Sequence, residues 1–395
     1  MNFKLFYIVV FLLLFLQSCQ LKDENKLFSE NIKQPTPPNE YIVEFNPLTE
    51  GYKGQKRNEI EQFFNSKINF ENKFSGGFLV AKNGQIIYET YQGFANYEKQ
   101  QPITAETPLH LASVSKVLTA AVVLRMIDEG KLTLNQTVTS ILDDFKFTNI
   151  TLQDLLNHRS GLPNYLYFTS DETLWDKQKT LTNTDVFNLL KNPKITLEFQ
   201  PDQKFSYCNT NYVILALIIE KMSHLSYPEA MKTLLFEPLG MKNTFVFNYF
   251  TQKDNVSVSY KSTYQPTPYD HTDAVYGDKN IYSTPQDLLK FDRATYSDTF
   301  MSKTLKNLIY KGYSYEKFGI KNYGLGIRLR EWEDGQKIFY HNGWWHGNTT
   351  SYINDRNDTV TLIALSNRYT KRVYQTIRLT SLFGNYPFTL QDEEE

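Results

Sequence analysis

The sequence predicts a mixed α/β (α+β) domain in which an antiparallel sheet is flanked by helices and carries an inserted, mainly helical lobe. Strand signals occur near both ends of the folded part, first at 78–88 and again at 323–366. Between them, from 152 to about 300, apolar residues recur mostly at helical spacing. Because strands lie on both sides of this helical stretch, we interpret it as an insertion into a sheet domain.

The size and charge of the chain narrow its class. Its 395 residues are 41% hydrophobic and 15% aromatic, which is enough for a large core without several independent domains. The 42 basic and 43 acidic side chains give a formal net charge of -1, so the chain has no excess of positive charge for binding nucleic acid. A nucleic-acid partner is therefore not expected.

The first nineteen residues are typical of an export signal. Lys4 precedes an apolar stretch at 5–16, which is too short to cross a hydrocarbon core of about 30 Å as a helix. The tetrapeptide 16–19, Leu-Gln-Ser-Cys, resembles a bacterial lipobox, in which the cysteine is acylated and becomes the mature N-terminus. This resemblance implies an exported protein, lipid-anchored at Cys19 to the cell envelope, at the outer membrane. A plain signal peptide with an incidental cysteine is the alternative.

Three segments follow from composition and periodicity. Residues 1–19 are the signal peptide, and 20–55, rich in charged residues, Asn and Pro, are interpreted as a polar tether. Apolar residues at helical spacing from 57 to 68 predict the first helix, so the globular domain is placed at 56–395. The only other cysteine is Cys208, so the mature protein has no internal disulfide if lipid occupies the first one.

The elements of the domain are predicted in order along the chain. Apolar runs on both sides of Asn83-Gly84 predict a hairpin, because this pair tolerates the positive backbone angles of a tight turn. Residues 111–130 are apolar on nearly all sides and end in a glycine, which predicts a centrally buried helix. A second apolar helix is predicted at 212–222. Later strands are predicted at 323–330, 337–340, 349–353 and 359–366, with a hairpin turn at Asp334-Gly335.

A hydroxyl and an amine, those of Ser113 and Lys116, lie one helical turn apart at the start of the first buried helix. An amine that desolvation keeps neutral can accept the proton of an attacking serine, and the helix N-terminus favours the developing negative charge. Ser314 and Lys317 have the same spacing, but no apolar helix follows them, so we interpret them as surface structure. Ser115 adjoins the lysine and cannot face it, so packing is its interpretation.

Tyr207 and Asn209 lie just before the second apolar helix, where a phenol and an amide can project into a cleft between lobes. Tyr-x-Asn recurs at 340–342 and 352–354, so only order and setting favour the first match. Cys208, between them, has no neighbouring base of the kind that a thiolate nucleophile needs. We interpret it as a small buried side chain.

His341-Asn342-Gly343 is the only His-x-Gly of the chain and lies on or beside a late strand. Its glycine lets a substrate lie close to the strand backbone. A metal site that pairs His341 with His346 is not favoured, because the spacing lacks the one-face helical geometry and no carboxylate accompanies the two histidines. Neither a metal nor another cofactor is predicted.

In this order, Ser113-x-x-Lys116, Tyr207-x-Asn209 and His341-x-Gly343 resemble the serine beta-lactamase and penicillin-binding protein superfamily, specifically its class C-like branch. The resemblance covers about 57–385, because flanking stretches match as well, at 107–112, 155–162, 237–241 and 282–288. It implies the beta-lactamase/transpeptidase-like fold and a serine hydrolase acting on a D-amino-acid peptide or ester of the cell envelope.

The resemblance also implies roles for individual residues. Ser113 is the nucleophile, and Lys116 and Tyr207 share its proton, with the identity of the base left open. Asn209 holds the polar edge of the substrate. The backbone N–H groups of Ser113 and Trp344 bind the oxyanion, and His341 positions the substrate or a proton.

Two departures from the superfamily pattern bear on the substrate. The third motif is often Lys-Thr-Gly, whose lysine attracts a substrate carboxylate, whereas His341 is largely neutral near pH 7. Strong beta-lactamase activity is therefore not expected. Residues 277–280 lack the paired glycines often found before Tyr-Ser-Thr, so a loop near the cleft is expected to differ in shape.

A weak beta-lactamase, or a non-catalytic binder or sensor of cell-wall fragments, is the alternative function. His158 precedes a Ser-Gly turn and is interpreted as structural support rather than as a base.

Overall fold

The computed structural model describes residue 41 and residues 43–391. The predicted signal peptide, Cys19 and most of the predicted tether lie outside the described residues. Within the described part, no helix is both long and apolar enough to cross a membrane.

Strands and helices alternate unevenly along the chain, with the helices concentrated in its middle. The strands are β1 (Gly76–Lys82), β2 (Gln85–Gln92), β3 (Phe94–Asn96), β4 (Gln101–Pro102), β5 (Leu109–His110), β6 (Phe245–Val246), β7 (Ile281–Ser283), β8 (Lys321–Tyr323), β9 (Arg328–Glu331), β10 (Lys337–Trp345), β11 (Asn348–Asp355) and β12 (Val360–Ser366). The helices are α1 (Glu50–Phe63), α2 (Ser115–Asp128), α3 (Leu152–Leu156), α4 (Tyr165–Phe168), α5 (Asn183–Leu190), α6 (Thr210–Ser223), α7 (Tyr227–Met231), α8 (Tyr249–Gln252), α9 (Pro285–Ala294) and α10 (Lys303–Ile309).

The main sheet has seven strands in the order β2-β1-β12-β11-β10-β9-β8, and every neighbouring pair is antiparallel. Strand β1 pairs with β12 along its whole length, from Gly76 opposite Ser366 to Lys82 opposite Val360. The first hairpin is thereby joined to the last strands of the chain, and the helical segment is inserted between them. This confirms the predicted fold class.

Local turn chemistry explains the hairpins. Asn83 and Gly84 adopt φ of 50° and 64°, as the predicted turn between β1 and β2 requires. The strand predicted at 323–330 is wrong in one respect, because the chain forms two short strands there, β8 and β9. Gly326 between them has φ of 84°, and a Cβ at this position would lie 2.3 Å from the Cβ of Ala120 in α2. The chain turns where it passes the central helix.

Helix α2 is buried between the sheet and the helical lobe, and it packs against α6, as their apolar sequences predict. The prediction of a helix over 111–130 differs at its start, because a 3-10 turn at Ala112–Val114 precedes the first α-helical residue, Ser115. That turn directs the first residues of α2 toward β10.

The folded body begins earlier than the predicted boundary at residue 56. Helix α1 starts at Glu50, where the hydroxyl of Thr49 accepts a hydrogen bond from the N–H of Tyr52 at 3.3 Å. Tyr41 is buried, with its ring 5.3 Å from the ring of Phe300. Composition alone missed this contact, because it depends on a partner far along the chain.

Candidate active site

Ser113 lies in the 3-10 turn that leads into α2. The residue before it, Ala112, has φ of 49°, a left-handed conformation that alanine rarely adopts. The N–H of Ala112 donates to Nδ1 of the buried His110 at 2.9 Å. The turn is therefore strained, and a buried histidine holds it in place.

Lys116 is fully buried in the first turn of α2. Its Nζ lies 3.2 Å from Oγ of Ser113 and donates to the backbone carbonyl of Asp278 at 2.7 Å. The Nζ also lies 5.1 Å from the ring centroid of Tyr207. The hydroxyl and the amine thus face each other, as their spacing on the helix predicts.

Tyr207 packs among groups that come from several elements. The guanidinium of Arg328 lies 4.7 Å from its ring centroid, and the ring of His158 lies 4.4 Å away. Its hydroxyl oxygen is buried and has no hydrogen-bond partner in the part of the chain that the structure describes. Leaving a buried hydroxyl unpaired costs about 1–3 kcal/mol, so the position is better explained by a partner that arrives with the substrate.

Strand β10 presents an open edge beside Ser113. Strand β9 pairs with β10 only as far as Tyr340, so 341–345 have no strand partner on that side among the described strands. A Cβ on Gly343 would lie 2.7 Å from the carbonyl oxygen of Leu111 and 2.9 Å from the backbone nitrogen of Ser113. From the sequence, this glycine was expected to let a substrate lie close to the strand. In the structure, the 3-10 turn that carries Ser113 lies close to Gly343 instead.

His341 is buried and neutral. Burial, followed by the charges of Arg328 and Lys116, holds its pKa well below the usual value. Its Nδ1 faces the carbonyl of Asn342 at 2.8 Å and therefore carries the proton, so Nε2 accepts from the hydroxyl of Tyr323 at 3.2 Å. The centroid of the ring lies 6.2 Å from that of Tyr207, and the ring makes no hydrogen bond to Ser113 or Lys116.

The remaining predicted site residues, Asn209 and Trp344, lie close in the chain to Tyr207 and Gly343. Asn209 immediately precedes α6, and its half-buried side-chain amide has no hydrogen-bond partner among the described residues. Trp344 is 62% exposed, and its Nε1 donates to the carbonyl of His346 at 2.8 Å.

The competing nucleophiles occupy structural positions. Oγ of Ser115 accepts from the N–H of Ile281 at 3.1 Å, and Ser314 accepts a hydrogen bond from Arg159 at 3.4 Å. Cys208 is buried, and burial raises the pKa of its thiol to about 11, so it is protonated at neutral pH. Ser113 alone among these candidates contacts a buried amine.

His158 packs beneath Tyr207, in line with its predicted structural role. It adopts φ of 60°, and its Nδ1 accepts from the N–H of Cys208 at 3.1 Å. Burial, and then the charge of Lys116, lowers its pKa well below the usual value. The neutral ring supports the segment that carries Tyr207.

His346 pairs with Asp273. Its Nε2 lies 3.0 Å from both carboxylate oxygens. With Asp270, these two residues form a group of three possible metal ligands whose ligand atoms lie within 4.8 Å of one another. This group contains His346 but not His341, so it is not the two-histidine site that the sequence analysis considered and did not favour.

The loop at 277–280, to which the sequence assigned no role, holds the reacting groups in place. Besides the contact from Asp278 to Lys116, the side chain of Asn280 lies 3.0 Å from Nε2 of His110. Asn280 has φ of 71°, a left-handed conformation that asparagine tolerates better than most residues. The loop therefore supports both Lys116 and, through His110, the strained turn before Ser113.

Sequence reasoning also missed Arg328. It lies at the start of β9, half-buried, with its guanidinium beside Tyr207 and 5.7 Å from the ring centroid of Tyr323. It makes no ion pair within the described residues, unlike the buried Arg159, which pairs with Asp202 and Glu316. An arginine in a strand pattern gives no signal of such a position, because most lie on solvated faces.

We expect His110 to lower the stability of the protein as the pH falls below 6.5, whereas Asp355, whose pKa burial raises to about 6, contributes in the opposite direction. Burial lowers the pKa of His110 to about 4. Between that value and 6.5 the unfolded chain binds the proton and the folded chain does not, so unfolding is favoured by about 2 kcal/mol at pH 5 relative to pH 7 from this residue alone. His158 and His341 act in the same direction. Urea unfolding at both pH values measures the difference.

His110→Asn is the matched variant, since its amide oxygen can accept from Ala112 but does not titrate. It should reduce the loss of stability between pH 7 and pH 5 by about 2 kcal/mol. An unchanged pH dependence in this variant would show that His110 is not a source of the effect.

Comparison with known proteins agrees with this geometry. Residues 65–381 match the beta-lactamase family. The chain is 31% identical over 352 residues to penicillin-binding protein 4* of Bacillus subtilis (strain 168), covering 84% of this chain and 77% of that protein. It is 33% identical over 171 residues to a D-aminopeptidase of Brucella anthropi, covering 43% of this chain and 32% of that protein.

Among solved structures, that of a penicillin-binding protein from Bacillus halodurans superposes with a TM-score of 0.70 at 21% identity, covering 83% of this chain and 98% of the other. The predicted superfamily and fold are confirmed by these matches. The chain therefore belongs to the beta-lactamase family of serine hydrolases, alongside penicillin-binding proteins.

Proposed function

We propose that this protein hydrolyses a D-amino-acid peptide or ester through an acyl-enzyme on Ser113. The observation that carries the proposal is the 3.2 Å contact between Oγ of Ser113 and the fully buried amine of Lys116. The similarity to a D-aminopeptidase over 43% of the chain supports a D-amino-acid substrate. We prefer the peptide to the ester because the positive charge of Arg328 favours a substrate with a free carboxylate.

The proposed reaction has two steps. Oγ of Ser113 attacks the substrate carbonyl while its proton passes to Lys116 and Tyr207, and the same pair delivers a proton to the departing amine or alcohol. Water then cleaves the ester bond of the acyl-enzyme and releases the acid. The close packing of Gly343 against the nitrogen of Ser113 supports the N–H of the next residue, Trp344, as the second donor to the oxyanion.

The unpaired guanidinium of Arg328 favours a substrate with a free carboxylate. His341 is neutral and cannot attract an anion, so Arg328 supplies the positive charge on this side of the cleft. A peptide whose C-terminal residue is the leaving group has its carboxylate beyond the scissile bond. A neutral ester lacks this group and is therefore the weaker candidate.

Hydrolysis of three matched substrates tests the proposal: a peptide ending in D-alanyl-D-alanine, its C-terminal amide, and a short-chain ester. We expect cleavage of the free acid, with kcat/KM lower by about 10–100-fold for the amide, and an equal loss for the acid in Arg328→Gln. Equal cleavage of acid and amide would exclude the role of Arg328. Cleavage of none, with muropeptide binding unchanged in Ser113→Ala, would favour the non-catalytic binder. A chromogenic beta-lactam should be turned over slowly.

Tyr207→Phe separates catalysis from stability. Because the buried hydroxyl has no partner among the described residues, its removal should not destabilise the protein and should raise the free energy of unfolding by up to about 1–3 kcal/mol. If Tyr207 shares the proton, kcat should nevertheless fall by about 10²-fold or more. The pH profile of kcat/KM and urea unfolding are the two measurements. Full activity in this variant would leave Lys116 as the only base.

We also propose that the protein is exported and lipid-anchored at Cys19 to the cell envelope, at the outer membrane. The support is the sequence of residues 1–19, with a short apolar stretch that ends in a lipobox-like tetrapeptide. Fractionation of cells that produce the whole chain should find it in the envelope. Cys19→Ala should release it to the soluble fraction, and retention of this variant in the envelope would contradict anchoring at this residue.

A further inference from the structure

A wide cleft lies at the far end of the open edge of β10. Its volume is about 590 Å³, within the range of roughly 300–1,000 Å³ for small-molecule sites. Three aromatic side chains and a polar rim line it, among them Trp344, Trp345, Tyr369, Lys261, Ser262 and Asp270. The reaction proposed for Ser113 does not use the side chains that line this cleft.

The two indole rings are held in place by hydrogen bonds. Nε1 of Trp344 donates to the carbonyl of His346 at 2.8 Å, and Nε1 of Trp345 donates to the carboxylate of Asp273 at 2.8 Å. Because each ring has used its only polar atom, each can offer a ligand only its apolar faces. Trp344 nevertheless remains 62% exposed, a large apolar surface on the residue that follows Gly343 in β10.

Arg328 fixes the direction in which a substrate lies. It is the first residue of β9 and lies opposite Tyr340, whereas Trp344 and Trp345 lie at the other end of the open edge. The five residues from 341 to 345 span about 13 Å at roughly 3.3 Å per residue. If the carboxylate of the leaving group is at Arg328, the acyl part must extend past Ser113 toward the tryptophans.

We propose that this cleft binds the acyl side of the substrate and selects a large aromatic or apolar side chain there, with Trp344 as the specificity-determining residue. The inference rests on the proposed hydrolase function and specifies its substrate. Preorganised rings lose little conformational freedom when they bind a ligand, so their contact area contributes directly to affinity. Lys261 and Asp270, both exposed at the rim, remain available to polar groups of the same substrate.

Two peptides with the same D-alanine leaving group test the proposal, one with D-alanine and one with D-phenylalanine on the acyl side. We expect the wild type to prefer D-phenylalanine by at least about 10-fold in kcat/KM, within the range for differences in apolar contact. The ratio should fall to within about 3-fold of unity in Trp344→Ala and be partly restored in Trp344→Phe. Phe318→Ala removes a fully exposed ring elsewhere and should leave the ratio unchanged.

The outcomes separate this inference from the proposed function. Equal cleavage of both peptides by the wild type, or a ratio that persists in Trp344→Ala, would overturn the selective cleft and leave the hydrolase intact. If the protein cleaves neither peptide and no other acyl substrate, the hydrolase function itself is refuted. Thermal unfolding of each variant shows whether it is folded, and the conservative Trp344→Phe supplies the comparison if the alanine variant is not.

Discussion

Replacing Lys116 with methionine is expected to lower kcat/KM by about 10²–10⁴-fold, the range over which a positioned general base contributes. The amine is fully buried, 3.2 Å from Oγ of Ser113, and no other described side-chain nitrogen contacts that oxygen. Methionine preserves the length and the packing of the side chain. It leaves the carbonyl of Asp278 without this donor, so the free energy of unfolding should fall by about 1–3 kcal/mol.

Lys317→Met is the matched control. Lys317 has the same spacing from Ser314 as Lys116 has from Ser113, but it is exposed, and Ser314 is bonded to Arg159 instead. This variant should retain wild-type kcat/KM. Retention of activity in Lys116→Met as well would show that the buried amine is not part of the reaction.

Gly343→Ala is expected to impair both catalysis and stability. A Cβ there would lie 2.3 Å from Oγ1 of Thr350 and would also lie close to the backbone of the turn that carries Ser113. Strand β10 must move away from Ser113, and a displacement of about 1 Å in a catalytic constellation can reduce the rate by 10²-fold. Forcing a methyl group into this packed backbone should also destabilise the fold by about 1–3 kcal/mol.

Gly54→Ala controls for the change of residue type. Gly54 lies in α1, and a Cβ there would meet nothing within 4 Å. Alanine at this position should raise the free energy of unfolding by about 0.5–1 kcal/mol and leave activity unchanged. If Gly343→Ala has no greater effect on kcat/KM than this control, the close approach of β10 to Ser113 does not matter for catalysis.

The part of the site that the sequence predicts is the part set by local geometry. Ser113 and Lys116 are three residues apart on one helix, so their contact follows from helical periodicity. The hairpin at Asn83-Gly84 follows in the same way from turn chemistry. The remaining site residues were predicted from the resemblance to the superfamily, which rests on the order of the three motifs along the chain.

Contacts between distant segments could not be predicted in this way. Arg328 reaches Tyr207 only because β9 stops at the open edge of β10. His110 and Asn280 are 170 residues apart, yet together they support the turn before Ser113. Such pairs have no periodic signal, because the sheet and the inserted lobe bring them together only when the whole domain has folded.

The most direct test of the acylation site is the mass of the protein after incubation with a fluorophosphonate probe. One adduct per chain is expected, and peptide mapping should place it on Ser113. Labelling should disappear in Ser113→Ala and persist in Ser314→Ala. An adduct that survives in Ser113→Ala, or that maps to Ser314 or Cys208, would contradict the assignment of Ser113 and Lys116 as the reacting pair.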